Sequence, residues 1–219
     1  LETNGSRLDA DAAAELRRAG VDTFRLHVPA FGPALDAIVR DEGAFDALRR
    51  ALSAILATDA TLEIAVPIVR GNLHELAHVP EALGPAVARI RVLRVSVPTR
   101  APEPSELVSF DEAGAALLAL EASARRGGLS VKLADGSGPP PCTLPKRNRP
   151  NQLWSLTGHA KERDDRVRVP ECERCLVREQ CSGLDKDQVA RFGLPTIEPV
   201  VEDRVRRRLA LIATVEEQI

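Results

Sequence analysis

Apolar and polar side chains alternate along short segments of the first 135 residues, as they do in half-buried β-strands. Over residues 21–28 the alternation places Phe24 and Leu26 on one face and Arg25 and His27 on the other. The same pattern predicts further strands over residues 61–69, 90–97 and 129–134.

Between these strands, apolar residues recur at helical spacing. Over residues 43–60 they form a stripe that contains Phe45, Leu48, Leu52 and Ile55. We predict helices over residues 6–19, 43–60 and 110–126, and a short helical piece over residues 80–88.

Strands that alternate with helices at this spacing predict an α/β fold with parallel strands. Polar residues on one strand face, prolines at strand ends and helices on a single side favour a barrel over an open sheet. Five strand positions, counting one at the start of the chain, cannot close an eight-stranded barrel. We therefore expect a partial (β/α) TIM-like barrel over residues 1–135, with the missing strands upstream of Leu1. The lack of any Met agrees with a piece of a longer protein.

The composition narrows the classes of function. Thirty Lys and Arg against 32 Asp and Glu leave a net charge of −2, which argues against a general nucleic-acid or membrane-surface binder. No apolar run reaches the length of about 18 residues that a transmembrane helix needs. We expect a cytoplasmic protein whose cysteines stay reduced, with no nucleic-acid or membrane partner.

The chemistry of the chain changes after residue 135, where turn residues lead into Cys142 and periodicity is weak. Cys172, Cys175 and Cys181 follow within ten residues of one another. Four thiolates suit either a tetrahedral zinc ion or a four-iron cluster, and the spacing alone does not choose between them. We predict a metal-binding region over residues 136–200 and an amphipathic C-terminal helix over residues 201–219.

Five short segments follow one another in a recognisable order: Thr3-Asn4-Gly5, Phe24-Arg25-Leu26-His27, Gly71-Asn72-Leu73-His74-Glu75-Leu76, Pro140-Pro141-Cys142, and Cys172-x2-Cys175-x5-Cys181. Their order resembles the second half of a radical SAM enzyme, and the cysteine region resembles the SPASM or twitch extension that carries an auxiliary cluster. The likeness covers nearly the whole chain up to about residue 200.

This resemblance implies an enzyme that binds S-adenosylmethionine and a [4Fe-4S] cluster and forms a 5′-deoxyadenosyl radical. The radical takes a hydrogen from a peptide or small-molecule substrate, and an electron donor is a further partner. The present chain would add part of the barrel and an auxiliary [4Fe-4S] cluster on the four cysteines. Catalytic residues are not predicted. The residues expected to contact the cofactor are Asn4, Arg25, His27, Asn72, Arg94 and Ser96.

Five of these six predicted contacts also have a purely structural interpretation. His27 could be an interior hydrogen-bonded histidine, Asn72 a helix N-cap and Asn4 a turn residue. Arg25 and Arg94 need carboxylate partners, which either the protein or a ligand could supply.

The chain departs from the family pattern in two ways, and these departures limit which clusters we expect it to bind. The Cys-x3-Cys-x2-Cys loop that binds the catalytic cluster is absent and is expected upstream of Leu1. Asp185 and Arg163 stand where a full SPASM domain has cysteines, so we expect one auxiliary cluster. Trp154 is expected to pack over the cluster loop, and the Arg204 and Arg206–Arg208 group to form a solvated helix face.

Two other functions compete with this interpretation. His74-Glu75-Leu76-Ala77-His78 is a literal HExxH motif, which on a helix would bind zinc in a metallopeptidase. Pro80 follows closely, so any helix there is short. The other alternative is a non-catalytic interaction module that zinc stabilises through the four cysteines.

Overall fold

A computed structural model describes residues 1–101, 103–134, 138–146, 149 and 163–202. The chain divides into two compact units. The first comprises Leu1–Val108 and Glu112–Gly138, and the second comprises Ser109–Asp111 and Pro139–Ile219. In the described part of the chain, no helix combines the length and the apolar character that crossing a membrane requires.

The first unit is built on a five-stranded parallel sheet whose spatial order follows the sequence order. This confirms the predicted α/β class with parallel strands. Each predicted strand is present, although one or two residues shorter at its ends. The strands are β1 (Glu2–Thr3), β2 (Thr23–His27), β3 (Thr61–Pro67), β4 (Ile90–Ser96) and β5 (Val131–Leu133).

Helices follow the strands in the first unit. The predicted helices over residues 43–60 and 110–126 are present, and the second has the predicted bounds. The helix predicted from residue 6 begins later, because the Asp9 carboxylate caps it by accepting from Ala12 N at 2.8 Å. The helices are α1 (Ala10–Arg18), α2 (Pro33–Val39), α3 (Ala44–Leu56), α4 (Val79–Ala82) and α5 (Phe110–Arg126).

Two of these elements differ from expectation. Helix α2, which starts at a Gly-Pro step, was not predicted because it has only seven residues and little periodicity. The piece predicted over residues 80–88 is the single turn of α4 followed by a 3-10 helix over Gly84–Arg89.

The apolar side chains of β2 are buried and its polar side chains are more exposed, as the alternation predicted. Phe24 and Leu26 are fully buried in the core of the first unit, together with Ile64 of β3 and Leu93 of β4. The turn after β1 needs a glycine, because Gly5 has φ of +80° and a Cβ there would lie 2.6 Å from Ala51 Cβ.

In the described residues of the second unit, a small antiparallel strand pair and a short helix are the main regular elements besides short 3-10 turns. Strands β6 (Arg166–Val167) and β7 (Leu184–Asp185) pair antiparallel, and α6 (Lys186–Phe192) follows directly. Asp185 caps α6 by accepting from Gln188 N at 3.0 Å. Trp154, the arginine group after residue 203 and nearly all of the predicted C-terminal helix lie outside the described residues.

Candidate metal centre

The four cysteines line one small cavity in the second unit. They come from three separate segments of the chain. Cys142 lies in a 3-10 turn over Pro141–Thr143. Cys172 lies in a second such turn over Pro170–Arg174, and Cys175 ends it. Cys181 comes shortly before β7. All four are free, half-buried thiols.

Backbone hydrogen bonds shape the loop that carries three of these cysteines. Cys175 N donates to Cys172 O at 3.1 Å, and Cys181 N donates to Val177 O at 2.9 Å. These bonds close two successive turns, which bring the three side chains to one side of the loop.

Gly183 has a specific role at the end of this loop. Its backbone N donates to Cys181 Sγ at 3.4 Å. The residue has φ of +95°, and a Cβ there would lie 2.6 Å from Val167 O. Only glycine fits this close approach without movement of the hairpin, which brings the amide to the sulfur.

The stretch of residues 198–200 connects Cys142 to the three-cysteine loop through backbone hydrogen bonds. Glu198 N donates to Cys142 O at 2.9 Å, and Leu176 N donates to Val200 O at 2.8 Å. Val177 and Val200 are buried together, and Cys175 and Cys181 pack against them. The cavity therefore has an apolar wall on the side of this stretch.

The protonation of Cys142 and of Cys181 depends on their burial. Burial, with smaller contributions from the other three thiols, raises the pKa of Cys142 to about 12. Burial also raises the pKa of Cys181, against the opposing effect of the Gly183 N–H. In the metal-free protein these thiols are neutral, so a bound cation would have to displace their protons.

Positive side chains border the cavity. Arg168 and Arg178 line it together with the cysteines. Arg168 Nη2 donates to Cys181 O at 3.2 Å and to Arg178 O at 3.4 Å. Burial raises the pKa of Cys181, and the charge of Arg168 lowers it by a smaller amount.

The arrangement of the four cysteine sulfurs can be compared with what a zinc ion and a four-iron cluster each require. Among the described residues, no three His, Cys, Asp or Glu side chains lie close enough together to hold a single metal ion. A tetrahedral zinc ion needs all four sulfurs at about 2.3 Å from one point. A four-iron cluster takes one cysteine per iron around a larger core. Four thiols around one cavity match the ligand count of either group. A single zinc ion would require these thiols to move closer together than they lie here.

The residues predicted to contact a cofactor lie in the first unit, and two of them have a partner that sequence reasoning missed. Arg25 donates from Nε and Nη2 to Glu63 Oε2 at 3.1 and 2.9 Å. Arg94 donates from Nε to the same oxygen at 2.7 Å and from Nη2 to Oε1 at 3.3 Å. The required carboxylate thus belongs to the protein. A charged residue within the apolar run of β3 was the signal that could have identified Glu63.

Asn72 is fully buried and holds the ends of two strands together. Its Nδ2 donates to Pro29 O and to Pro67 O, each at 2.6 Å, and its Oδ1 accepts from Val69 N at 2.9 Å. The N-cap interpretation was wrong, because Asn72 ends the 3-10 turn over Arg70–Asn72 and does not begin a helix. Its amide instead satisfies backbone groups where β2 and β3 end.

The remaining predicted contacts lie at the carboxyl ends of strands. Asn4 follows β1 and accepts from Ser6 N at 3.1 Å, which is the turn interpretation of that residue. His27 is the exposed last residue of β2, and Ser96 is the half-buried last residue of β4. In parallel sheets this edge is where ligands usually bind.

The HExxH motif does not form an α-helix. Residues 73–75 are a turn, and Leu76–His78 is a 3-10 helix. His74, Glu75 and His78 are all exposed. The one-face arrangement of two histidines that a metallopeptidase needs depends on α-helical geometry, which is absent at these described residues.

Comparison with known proteins adds no family assignment to this geometry. A scan against models of protein families and a search of curated proteins each find no match to the chain.

Proposed function

We propose that this chain is part of a radical SAM enzyme and supplies several strands of its barrel and an auxiliary [4Fe-4S] cluster. The observation that carries the proposal is the meeting of Cys142 with Cys172, Cys175 and Cys181 around one cavity. Cys142 is 30 residues away in sequence from the next cysteine. Residues this distant have no local reason to meet, so their shared cavity supports a common ligand.

The sheet of the first unit supports the barrel part of the proposal. Its five strands are parallel and follow the sequence order without reversal. Doubly wound nucleotide-binding sheets reverse their strand order at a switch point, whereas (β/α) barrels do not. A sheet wound in one direction is therefore the topology that a segment of a TIM-like barrel would have.

Each residue around the cavity has a definite task in this proposal. The four cysteines would hold the cluster, and Val177 and Val200 would keep water from one side of it. The Gly183 N–H would donate to the Cys181 thiolate. When bound, an auxiliary cluster supplies one-electron transfer between an electron donor and the reaction site. With one cysteine for each iron, no iron is left open to bind substrate.

The proposed reaction needs parts beyond the described cavity. S-adenosylmethionine would bind at the carboxyl edge of the barrel strands, where Asn4, His27 and Ser96 lie. The substrate would be a peptide or a small molecule. Cleavage of the cofactor requires a Cys-x3-Cys-x2-Cys loop that residues 1–219 do not contain. Four reduced cysteines fit the cytoplasm as the place of action.

A zinc-stabilised interaction module is the second candidate. The same four thiols have the donor set of a structural zinc site, in which the metal supplies folding energy to a chain with little core of its own. The shared cavity of the four cysteines favours this candidate as much as the first. The two candidate functions are therefore distinguished by which metal the cysteines bind, iron with sulfide or zinc.

Anaerobic reconstitution with iron and sulfide tests the first candidate. We expect a brown protein with broad absorbance near about 400 nm that is lost when any one cysteine is replaced by serine. The variant Ser182→Ala, which changes a hydroxyl in the same loop, should keep the absorbance. Colourless protein after reconstitution, or full absorbance in Cys142→Ser, would contradict the four-cysteine cluster.

A further inference from the structure

Arg149 is almost entirely buried in the second unit, at 1% exposure. Its guanidinium donates in three directions. Nε donates to Leu144 O at 2.9 Å, Nη1 to Glu202 Oε1 at 3.0 Å and Nη2 to Glu198 Oε2 at 3.0 Å. A buried guanidinium is costly unless its donors are satisfied, so these partners hold one another in a fixed arrangement.

Two of the residues that Arg149 contacts are close in sequence to Cys142 or hydrogen-bonded to it. Leu144 is two residues after Cys142. Glu198 contacts Arg149 with its side chain and the Cys142 carbonyl with its backbone N–H. Two residues farther along, Val200 O accepts from Leu176 N, the neighbour of Cys175. Arg149 thus fixes the stretch that connects Cys142 to the three-cysteine loop.

We infer that Arg149 is a positioning residue that places Cys142 as the fourth ligand of the metal centre. This inference rests on the proposed function in so far as the four cysteines share one metal group. Among the described residues, Arg149 donates to no cysteine sulfur. It acts by holding the segments of residues 142–144 and 198–202 together. Residues that orient ligands in this way typically change metal affinity about 10–100-fold when they are replaced.

Cobalt(II) is a single ion around which the four thiols would have to move closer together. It is a suitable probe, because the intensity of its thiolate charge-transfer bands counts the sulfurs that bind it. Three variants of the full chain are needed: Arg149→Met, Arg149→Lys and the control Arg163→Met. Arg163 is an exposed arginine of the same unit, and its ion pair is with Asp165, two residues away. Alkylation followed by mass spectrometry then shows which cysteine loses protection by the metal.

In wild type and in the Arg163→Met control we expect four bound thiolates and four protected cysteines. In Arg149→Met we expect three thiolates, alkylation of Cys142 alone, and cobalt binding weakened about 10–100-fold. Arg149→Lys should be intermediate, since one ammonium can contact a carboxylate but cannot reach all three partners. If Arg149→Met does not fold, the lysine variant gives the decisive measurement.

Four protected cysteines in a folded Arg149 variant would overturn the inference. Loss of all four thiolates together would also overturn it, because the role would then be general to the unit. The iron proposal fails separately, if the wild-type chain takes up zinc but no iron and sulfide. In that case the cobalt result on Arg149 still stands.

Discussion

Arg94 of β4 donates from Nε to Glu63 Oε2 of the neighbouring strand β3 at 2.7 Å. The Glu63 side chain is only 4% exposed, and Arg25 of β2 contacts the same oxygen. One buried carboxylate therefore joins three adjacent strands on the polar face of the sheet. The hydrogen bonds from Arg94, and next those from Arg25, lower the pKa of Glu63.

Replacement of Glu63 should destabilise the first unit. Glu63→Gln removes the charge that satisfies two guanidiniums, and we expect a loss of about 2–3 kcal/mol in the free energy of unfolding. The loss is below that of a fully buried pair, because each arginine remains about a third exposed. Urea unfolding followed by circular dichroism measures it. The control Glu2→Gln, which breaks the exposed pair with Arg25, should cost less than about 1 kcal/mol.

The pH dependence has a definite sign. Since the pKa of Glu63 is lower in the folded state, its contribution is complete above the ordinary value of 4.5 and is lost as pH falls below it. The difference between wild type and Glu63→Gln should therefore shrink in acid. A difference that stays constant from pH 7 to pH 3 would show that Glu63 does not act through its charge.

Asn72 should be far less tolerant of substitution than Asn4. Asn72→Asp keeps the shape but places a carboxylate against the two carbonyl oxygens that now accept from Nδ2. We expect a loss of about 2–4 kcal/mol in the free energy of unfolding, because two buried acceptors lose their donor. The matched change Asn4→Asp keeps the acceptor that Ser6 N uses, and it should be nearly neutral. Equal effects in the two variants would contradict the role of Asn72.

Gly183 and Gly193 form a second matched pair. Both have positive φ, so alanine at either position carries backbone strain of about 1–3 kcal/mol. Only at Gly183 would the new Cβ collide, with Val167 O, whereas Gly193 has open space. We expect Gly183→Ala to unfold at lower urea and to bind cobalt more weakly than Gly193→Ala. Similar behaviour of the two variants would mean that the close approach of Gly183 has no role in the metal centre.

Cys142 should react slowly with alkylating reagents in the folded, metal-free protein. Its pKa of about 12 leaves about a thousandth of it as thiolate at pH 9. Timed iodoacetamide labelling, read by mass spectrometry, should show Cys142 reacting much more slowly in the folded chain than in urea. Metal affinity should also fall as pH falls, because binding must release thiol protons. Equal labelling rates with and without urea would show that Cys142 is not buried.

Sequence periodicity predicted the first unit well because its strands and helices each bury one face. The alternation at Phe24 and Leu26 and the stripe of α3 are direct consequences of that burial. Helix α2 and the two-residue strands β6 and β7 are too short to leave a period. They form because of tertiary contacts, which cannot be read from a short segment of sequence.

For the candidate site, the type of each residue could be used for prediction, but the residue with which each side chain pairs could not. The four cysteines that residue type selected line one cavity, but its other lining residues, such as Arg168 and Val177, were not selected from the sequence. The pairing of Arg25 and Arg94 with Glu63, and the burial of Arg149, depend on which strands and loops become neighbours. A charged residue gives no sign in sequence of whether its partner will be protein, ligand or water.

Elemental analysis of the wild-type chain after anaerobic purification tests the central claim most directly. Iron, acid-labile sulfide and zinc are measured in the same sample and divided by the protein concentration. The account predicts about four irons and about four sulfides per chain, with little zinc. About one zinc per chain without iron or sulfide would contradict the cluster and favour a zinc-stabilised module.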